Sequence, residues 1–179
     1  FSVEAVDGLY EGIRLACEVY NVDLVGGDTT SSPSGLTLSV TAMGLAEPDA
    51  LVGRDGSGDD DLLVVSGDLG AAYMGLQILE REKSVFQAAP TAQPELEDFA
   101  YLLERQLKPE ARVDVVREIA ELGLKPTSMI DISDGLSSEI MHLGTSSGVG
   151  FKVYEDKLPI DPKVYDTARE FNLDPTLCM

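Results

Sequence analysis

The sequence predicts an α/β or α+β chain. Apolar residues recur at three- and four-residue spacing in some stretches and in short alternating or continuous runs in others, and the two kinds are interleaved from end to end. Turns rich in Gly, Pro, Asp and Ser separate them. Hydrophobic residues make up 44% of the 179 positions, enough to build a core.

Val3, Val6, Tyr10, Ile13, Cys17 and Tyr20 line one face of a first helix, and Asn21 suits its end. Residues 23–25 read as a short strand running into Gly26-Gly27, and Ser31 to Gly35 as a loop. Leu36, Leu38, Val40 and Ala42 alternate with hydroxyl residues, the pattern of a half-buried strand. The polar stretch from Glu47 to Asp61 carries Pro48, Gly53, Gly56 and Gly58 and reads as a domain boundary, with Asp59-Asp60-Asp61 as a solvated turn. Residues 62–65 read as a buried strand, Gly67 to Gly70 as a turn, and Ala72, Leu76 and Leu79 as a helix. A loop over 84–94 precedes helical patterns near 95–107 and 112–122, the latter stopped by Gly123. A strand over 128–132, a helix marked by Leu136, Ile140 and Leu143 and ended by Gly148, a strand over 149–154 and a last short helix after Pro162 complete the chain.

Thirteen basic against 32 acidic residues leave a formal charge of −19. That balance disfavours nucleic acid and anionic membranes as partners, and solubility is its plainest use. A phosphate ligand would be repelled unless divalent cations invert the local charge. No apolar run approaches the roughly 20 residues that span a bilayer. No leader is visible, and both ends look cut. Cys17 and Cys178 stand far apart with no metal-ligand spacing, which fits a reducing, cytoplasmic setting.

Two turns carry chemistry. Asp131-Ile132-Ser133-Asp134-Gly135 crowds two carboxylates and a hydroxyl into a strand-to-helix junction. Such a junction can offer oxygen ligands to Mg²⁺ and free helix N–H groups to a phosphate. Taken alone, it reads first as a helix N-cap. Gly26-Gly27-Asp28-Thr29-Thr30 is a second acidic turn after an apolar run, and its glycines permit close backbone approach to a ligand. Arg54 can fork a phosphate, although taken alone it reads first as an ordinary surface arginine. The chain lacks the Gly-x-x-x-x-Gly-Lys-Ser/Thr and Gly-x-Gly-x-x-Gly loops. Its only histidine, His142, reads as a helix-face residue, which leaves little for a triad or a zinc site.

At these residues the chain resembles the thiamine-monophosphate kinases. The matching strings are Val25 to Thr30 and Met129 to Leu136, joined by Ser66 to Ala72, Arg105 to Val113, Ser147 to Gly150 and Leu158 to Ile160. The wider group of ATP-binding enzymes includes aminoimidazole ribonucleotide synthetase, selenophosphate synthetase and a hydrogenase maturation protein. The resemblance implies an α+β, two-domain synthetase-like fold with a helix-covered sheet in each domain, incomplete here. Residues 1–47 would end an N-terminal ATP-binding domain, 48–61 would be the inter-domain loop, and 62–179 would form most of the C-terminal domain. It implies Mg²⁺- and ATP-dependent phosphorylation of thiamine monophosphate to thiamine diphosphate by a cytoplasmic homodimer. Gly27, Asp28, Arg54, Ser133 and Tyr10 would contact ATP, and Asp28, Asp131 and Asp134 would hold metal. The family's early Gly-Asp-Asp, Thr-Asp and Asn-Leu-Ser-Asp segments are absent from this sequence, so it reads as a central piece that would be inactive alone. A synthetase of the same group, or a non-catalytic nucleotide-binding module, stands as the alternative.

Overall fold

The computed structural model describes residues 1–178. It divides into two compact units, Phe1–Glu47 and Pro48–Met179.

Unit 1 is one long helix, α1 (Val3–Tyr20), followed by chain without regular secondary structure apart from a turn at 33–35. Ser2 caps α1 by accepting from the Ala5 amide at 3.3 Å. Asn21 closes it in the left-handed region at φ 53°, where a short polar side chain is tolerated. The half-covered face is Val6, Leu9, Ile13, Cys17 and Tyr20, so the predicted stripe is found with Leu9 added and Val3 and Tyr10 left exposed. Among the described residues, unit 1 has no buried side chain.

Unit 2 holds the core. Helix α2 (Ala71–Ala88) packs on α3 (Ala100–Leu107) and on α6 (Pro162–Glu170). Ala71, Met74, Ile78, Leu102, Leu103, Val164 and Ala168 meet in one buried cluster. The inward face of α2 is Ala71, Met74, Gly75 and Ile78; of the predicted face, Ala72 and Leu76 lie exposed and Leu79 packs at the margin. The sequence offers both rows at helical spacing, and packing against α3 selects the row containing the glycine. A Cβ on Gly75 would lie 2.2 Å from the Leu102 carbonyl oxygen, so only glycine lets the two backbones approach. Arg81 spans the edge of this core, 5.3 Å from the ring centres of both Phe99 and Phe171. The Gly67–Gly70 turn ahead of α2 is tied to α3. Tyr101 donates its hydroxyl to Asp68, and Arg105 Nη2 lies 3.3 Å from the Asp68 carbonyl oxygen and 3.1 Å from its Oδ1. Burial first, and then Asp68, hold the Tyr101 phenol well above its ordinary range.

Two further helices are α4 (Val113–Glu121) and α5 (Leu136–Ser147). Gly123 (φ 67°) follows α4, and Gly148 (φ 72°) caps α5 as expected. Asp161 starts α6 by accepting from the Lys163 amide at 2.7 Å, with Pro162 in the first turn.

The sheets are where the fold departs from expectation. Among the described residues there is no strand, only one isolated parallel bridge between Leu69 and Ile160. The segments predicted as strands at 23–25, 36–42, 62–65, 128–132 and 149–154 form no ladder. A strand exists through bonds to a neighbour, and among the described residues these segments make no such ladder. Val25, Val40, Leu62 and Val64 are accordingly more than 80% exposed.

Replacing Gly75 by Ala is expected to lower the unfolding free energy of unit 2 by roughly 1–3 kcal/mol, as over-packing does, read by chemical denaturation. Unchanged stability would mean that α2 and α3 can separate freely at Leu102.

Candidate functional site

Each unit carries part of the predicted site. In unit 1, the Tyr10 hydroxyl lies 3.2 Å from Thr29 Oγ1, which draws the exposed side of α1 to the Gly27-Asp28-Thr29 turn. Tyr10, Gly27 and Asp28 therefore come together, all exposed.

Unit 2 carries Arg54, Asp131, Ser133 and Asp134. The stretch read as a boundary linker is a built loop. Its Gly53 carbonyl accepts from the Met129 amide at 2.8 Å, two residues ahead of Asp131. The Ser57 and Ser128 hydroxyls bond each other. Ser147, the last residue of α5, accepts from the Gly56 and Ser57 amides at 3.2 and 3.1 Å and donates to the Arg54 carbonyl at 3.3 Å. Gly56 runs so close to the Thr127 carbonyl that a Cβ there would lie 2.5 Å from its oxygen. The Asp61 carboxylate accepts from the Gly58 amide and the Thr127 hydroxyl, each at 2.8 Å; the amide first, then the hydroxyl, hold its pKa below the usual aspartate range. Only Asp59 and Asp60 remain as a plain turn. Arg54 is thus presented beside the segment that leads into Asp131.

The Asp131–Gly135 turn differs from expectation in one respect. Two of its amides are bonded within the chain. Glu139, in the first turn of α5, accepts from the Ser133 amide and hydroxyl at 3.4 Å each and from the Asp134 amide at 3.1 Å. Glu139 is 5% exposed, and these bonds lower its pKa, the Asp134 amide foremost. The Ser133 and Asp134 amides, just ahead of α5, are therefore taken by the chain's own carboxylate.

Glu139 and Ser147 were missed by sequence reasoning. An acidic residue in a helix's first turn was a signal for Glu139. Ser147 was marked only as part of the Ser147–Gly150 resemblance string, because its partners are about 90 residues away.

Asp28, Asp131 and Asp134 are exposed, and among the described residues none of them is in an ion pair. Their hard oxygen donors suit Mg²⁺, which needs only one or two carboxylates when waters and phosphates complete its shell. Among the described residues, no three His, Cys, Asp or Glu gather into a ready metal cage.

Ser147→Ala is expected to speed amide exchange of Gly56 and Ser57 about fivefold, the equivalent of one hydrogen bond of about 1 kcal/mol. Exchange at the parental rate would show that the loop does not depend on Ser147.

Residues 1–46 match the family model described as AIR synthase related protein, N-terminal domain. The thiamine-monophosphate kinase of Aquifex aeolicus (strain VF5) is 33% identical over 173 residues, covering 97% of this chain and 52% of that protein. The thiamine-monophosphate kinase of Bacillus subtilis (strain 168) is 30% identical over 171 residues, covering 94% and 50%. A solved structure described as AaThiL complexed with AMPPCP and TMP matches with a TM-score of 0.77 at 28% identity, over 99% of this chain and 53% of that one. Among the described residues, no helix is long and apolar enough to cross a membrane. The chain spans about half the length of the curated relatives it matches, and over that span it belongs to the thiamine-monophosphate kinase family.

Proposed function

We propose that this chain is the part of a cytoplasmic, homodimeric enzyme that carries one half of an ATP- and Mg²⁺-binding site, and that the enzyme phosphorylates thiamine monophosphate to thiamine diphosphate. The observation that carries the proposal is the Gly53–Ser57 loop, pinned beside the segment entering Asp131. It sets an exposed guanidinium and two exposed carboxylates free of ion pairs on adjoining elements of unit 2. The relatives' names and the ATP analogue and TMP named for the solved neighbour support the choice of reaction.

In this reading residues 1–47 end the ATP-binding domain, 48–61 join the domains, and 62–179 form most of the second domain. The extended segments are strands whose partners lie in the rest of the full-length protein, which would cover Val25, Val40, Leu62 and Val64. A phosphate oxygen of thiamine monophosphate attacks the γ-phosphorus of ATP, the bond to the β-phosphate oxygen breaks, and ADP leaves with that electron pair. Such a transfer asks for positioning and charge neutralisation more than for a protein nucleophile. Arg54 in unit 2 forks nucleotide phosphates, Gly27 in unit 1 offers its backbone N–H to the nucleotide, and Ser133 contacts it through its hydroxyl. Tyr10 steadies the Asp28 turn through Thr29. Asp28 in unit 1, and Asp131 and Asp134 in unit 2, would each offer carboxylate oxygens to Mg²⁺, which would supply charge neutralisation at the phosphate oxygens.

Chromatographic assay of thiamine diphosphate formation by the full-length protein tests this. Asp28→Asn and Asp131→Asn should each cut kcat/KM by about 100-fold, or about 2.7 kcal/mol of barrier, and the 179-residue chain alone should form no product. Parental rates in both variants would overturn the metal assignment. A full-length protein that transfers no phosphate to thiamine monophosphate would overturn the reaction.

A further inference from the structure

Glu139 is a charged residue buried to 5% exposure with no basic partner among the described ion pairs. A buried carboxylate must be compensated by hydrogen bonds. Here the hydrogen bonds come from one side: a single oxygen, Oε1, accepts from Ser133 N, Ser133 Oγ and Asp134 N, while His142 on the same helix adds a favourable charge interaction. Every one of these donors lies in the turn between Asp131 and Gly135.

That pattern differs from ordinary helix capping. A cap satisfies the orphan N–H groups of the helix's own first turn. Glu139 instead reaches back past the residue that precedes α5, Gly135, to donors five and six positions earlier. α5 gains little hydrogen bonding from this, whereas the turn gains a fixed link to the helix. Without Glu139 the Ser133 and Asp134 amides would lose these partners, and with them the backbone between the Asp131 and Asp134 carboxylates its link to α5.

We propose that Glu139 is a positioning residue: by binding the Ser133 and Asp134 amides it holds the turn in one conformation, so that the Asp131 and Asp134 carboxylates are set for a Mg²⁺–nucleotide before it arrives. The inference rests on the proposed function of that turn. It follows the general behaviour of groups that orient metal ligands, whose loss weakens metal affinity about 10- to 100-fold.

The test uses the full-length protein with Mg²⁺ and a non-hydrolysable ATP analogue, followed by calorimetry, together with amide exchange at Ser133 and Asp134 in the metal-free protein. Glu139→Ala should weaken binding of the Mg²⁺–analogue about 10- to 100-fold, raise KM for ATP more than it lowers kcat, and speed exchange at both amides. Glu139→Gln keeps an acceptor oxygen at the same reach and should restore most of the affinity and protection. Should Glu139→Ala not fold, Glu139→Gln and Glu139→Asp decide: the shorter aspartate keeps the charge, loses the reach and should bind weakly. Affinity kept within about twofold in Ala or Asp, or tightened because freed amides receive a phosphate, overturns the positioning role even if thermal stability falls. A parental protein that binds neither Mg²⁺ nor the analogue overturns the site itself, and the inference with it; parental binding with unchanged variants overturns the inference alone.

Discussion

An extended segment outside a sheet must still find partners for its backbone, because a buried or crowded polar group left unpaired costs free energy. Residues 127–129 are fixed in unit 2 against the Gly53–Asp61 stretch, by one backbone bond and two side-chain hydroxyl bonds. The Met129 amide bonds Gly53, Ser128 bonds Ser57, and Thr127 bonds Asp61. Ser147 then clamps the loop to the end of α5. Since α5 begins just after Asp134, its two ends hold two different pieces of the proposed site: Glu139 holds the acidic turn at one end, and Ser147 holds the arginine loop at the other. One 12-residue helix, roughly 18 Å long at 1.5 Å per residue, is the ruler between them.

The electrostatics fit a cation-mediated site. The formal charge of −19 opposes an approaching phosphate, and the turns that would receive it carry carboxylates themselves. Glu139 adds a further negative charge beside Ser133, kept ionised by the amides it binds. A Mg²⁺-laden nucleotide suits such a turn better than a bare phosphate does.

Helices were legible in the sequence because their signals are local. The α1 stripe, Asn21, Pro162 and Gly148 each act within a turn of themselves, and each lies where periodicity and capping put it. The sheets were not legible in the same way. Alternation such as Leu36 to Ala42 reports which face wants burial, but a ladder needs a neighbouring segment, and in this chain those segments stay unpaired. The inward face of α2 was misread by one position for a related reason, since Gly75 matters through its contact with Leu102 rather than through its own hydropathy. The acidic turns were found from composition and placement alone. Their supports were not: Ser147 acts across about 90 residues, and Glu139 acts backwards across a glycine, outside the usual capping pattern.

The claim that Arg54 and Asp131 belong to one built half-site is tested most directly by a double-mutant cycle on nucleotide binding. Calorimetry would give the affinity of the full-length protein for Mg²⁺ and a non-hydrolysable ATP analogue with Arg54→Ala, Asp131→Asn and both. If the pinned loop and the acidic turn grip the same phosphates, the losses are coupled, with an interaction energy of about 0.5–3 kcal/mol. Losses that add to within about 0.3–0.5 kcal/mol would contradict it, placing the arginine and the aspartate in separate roles.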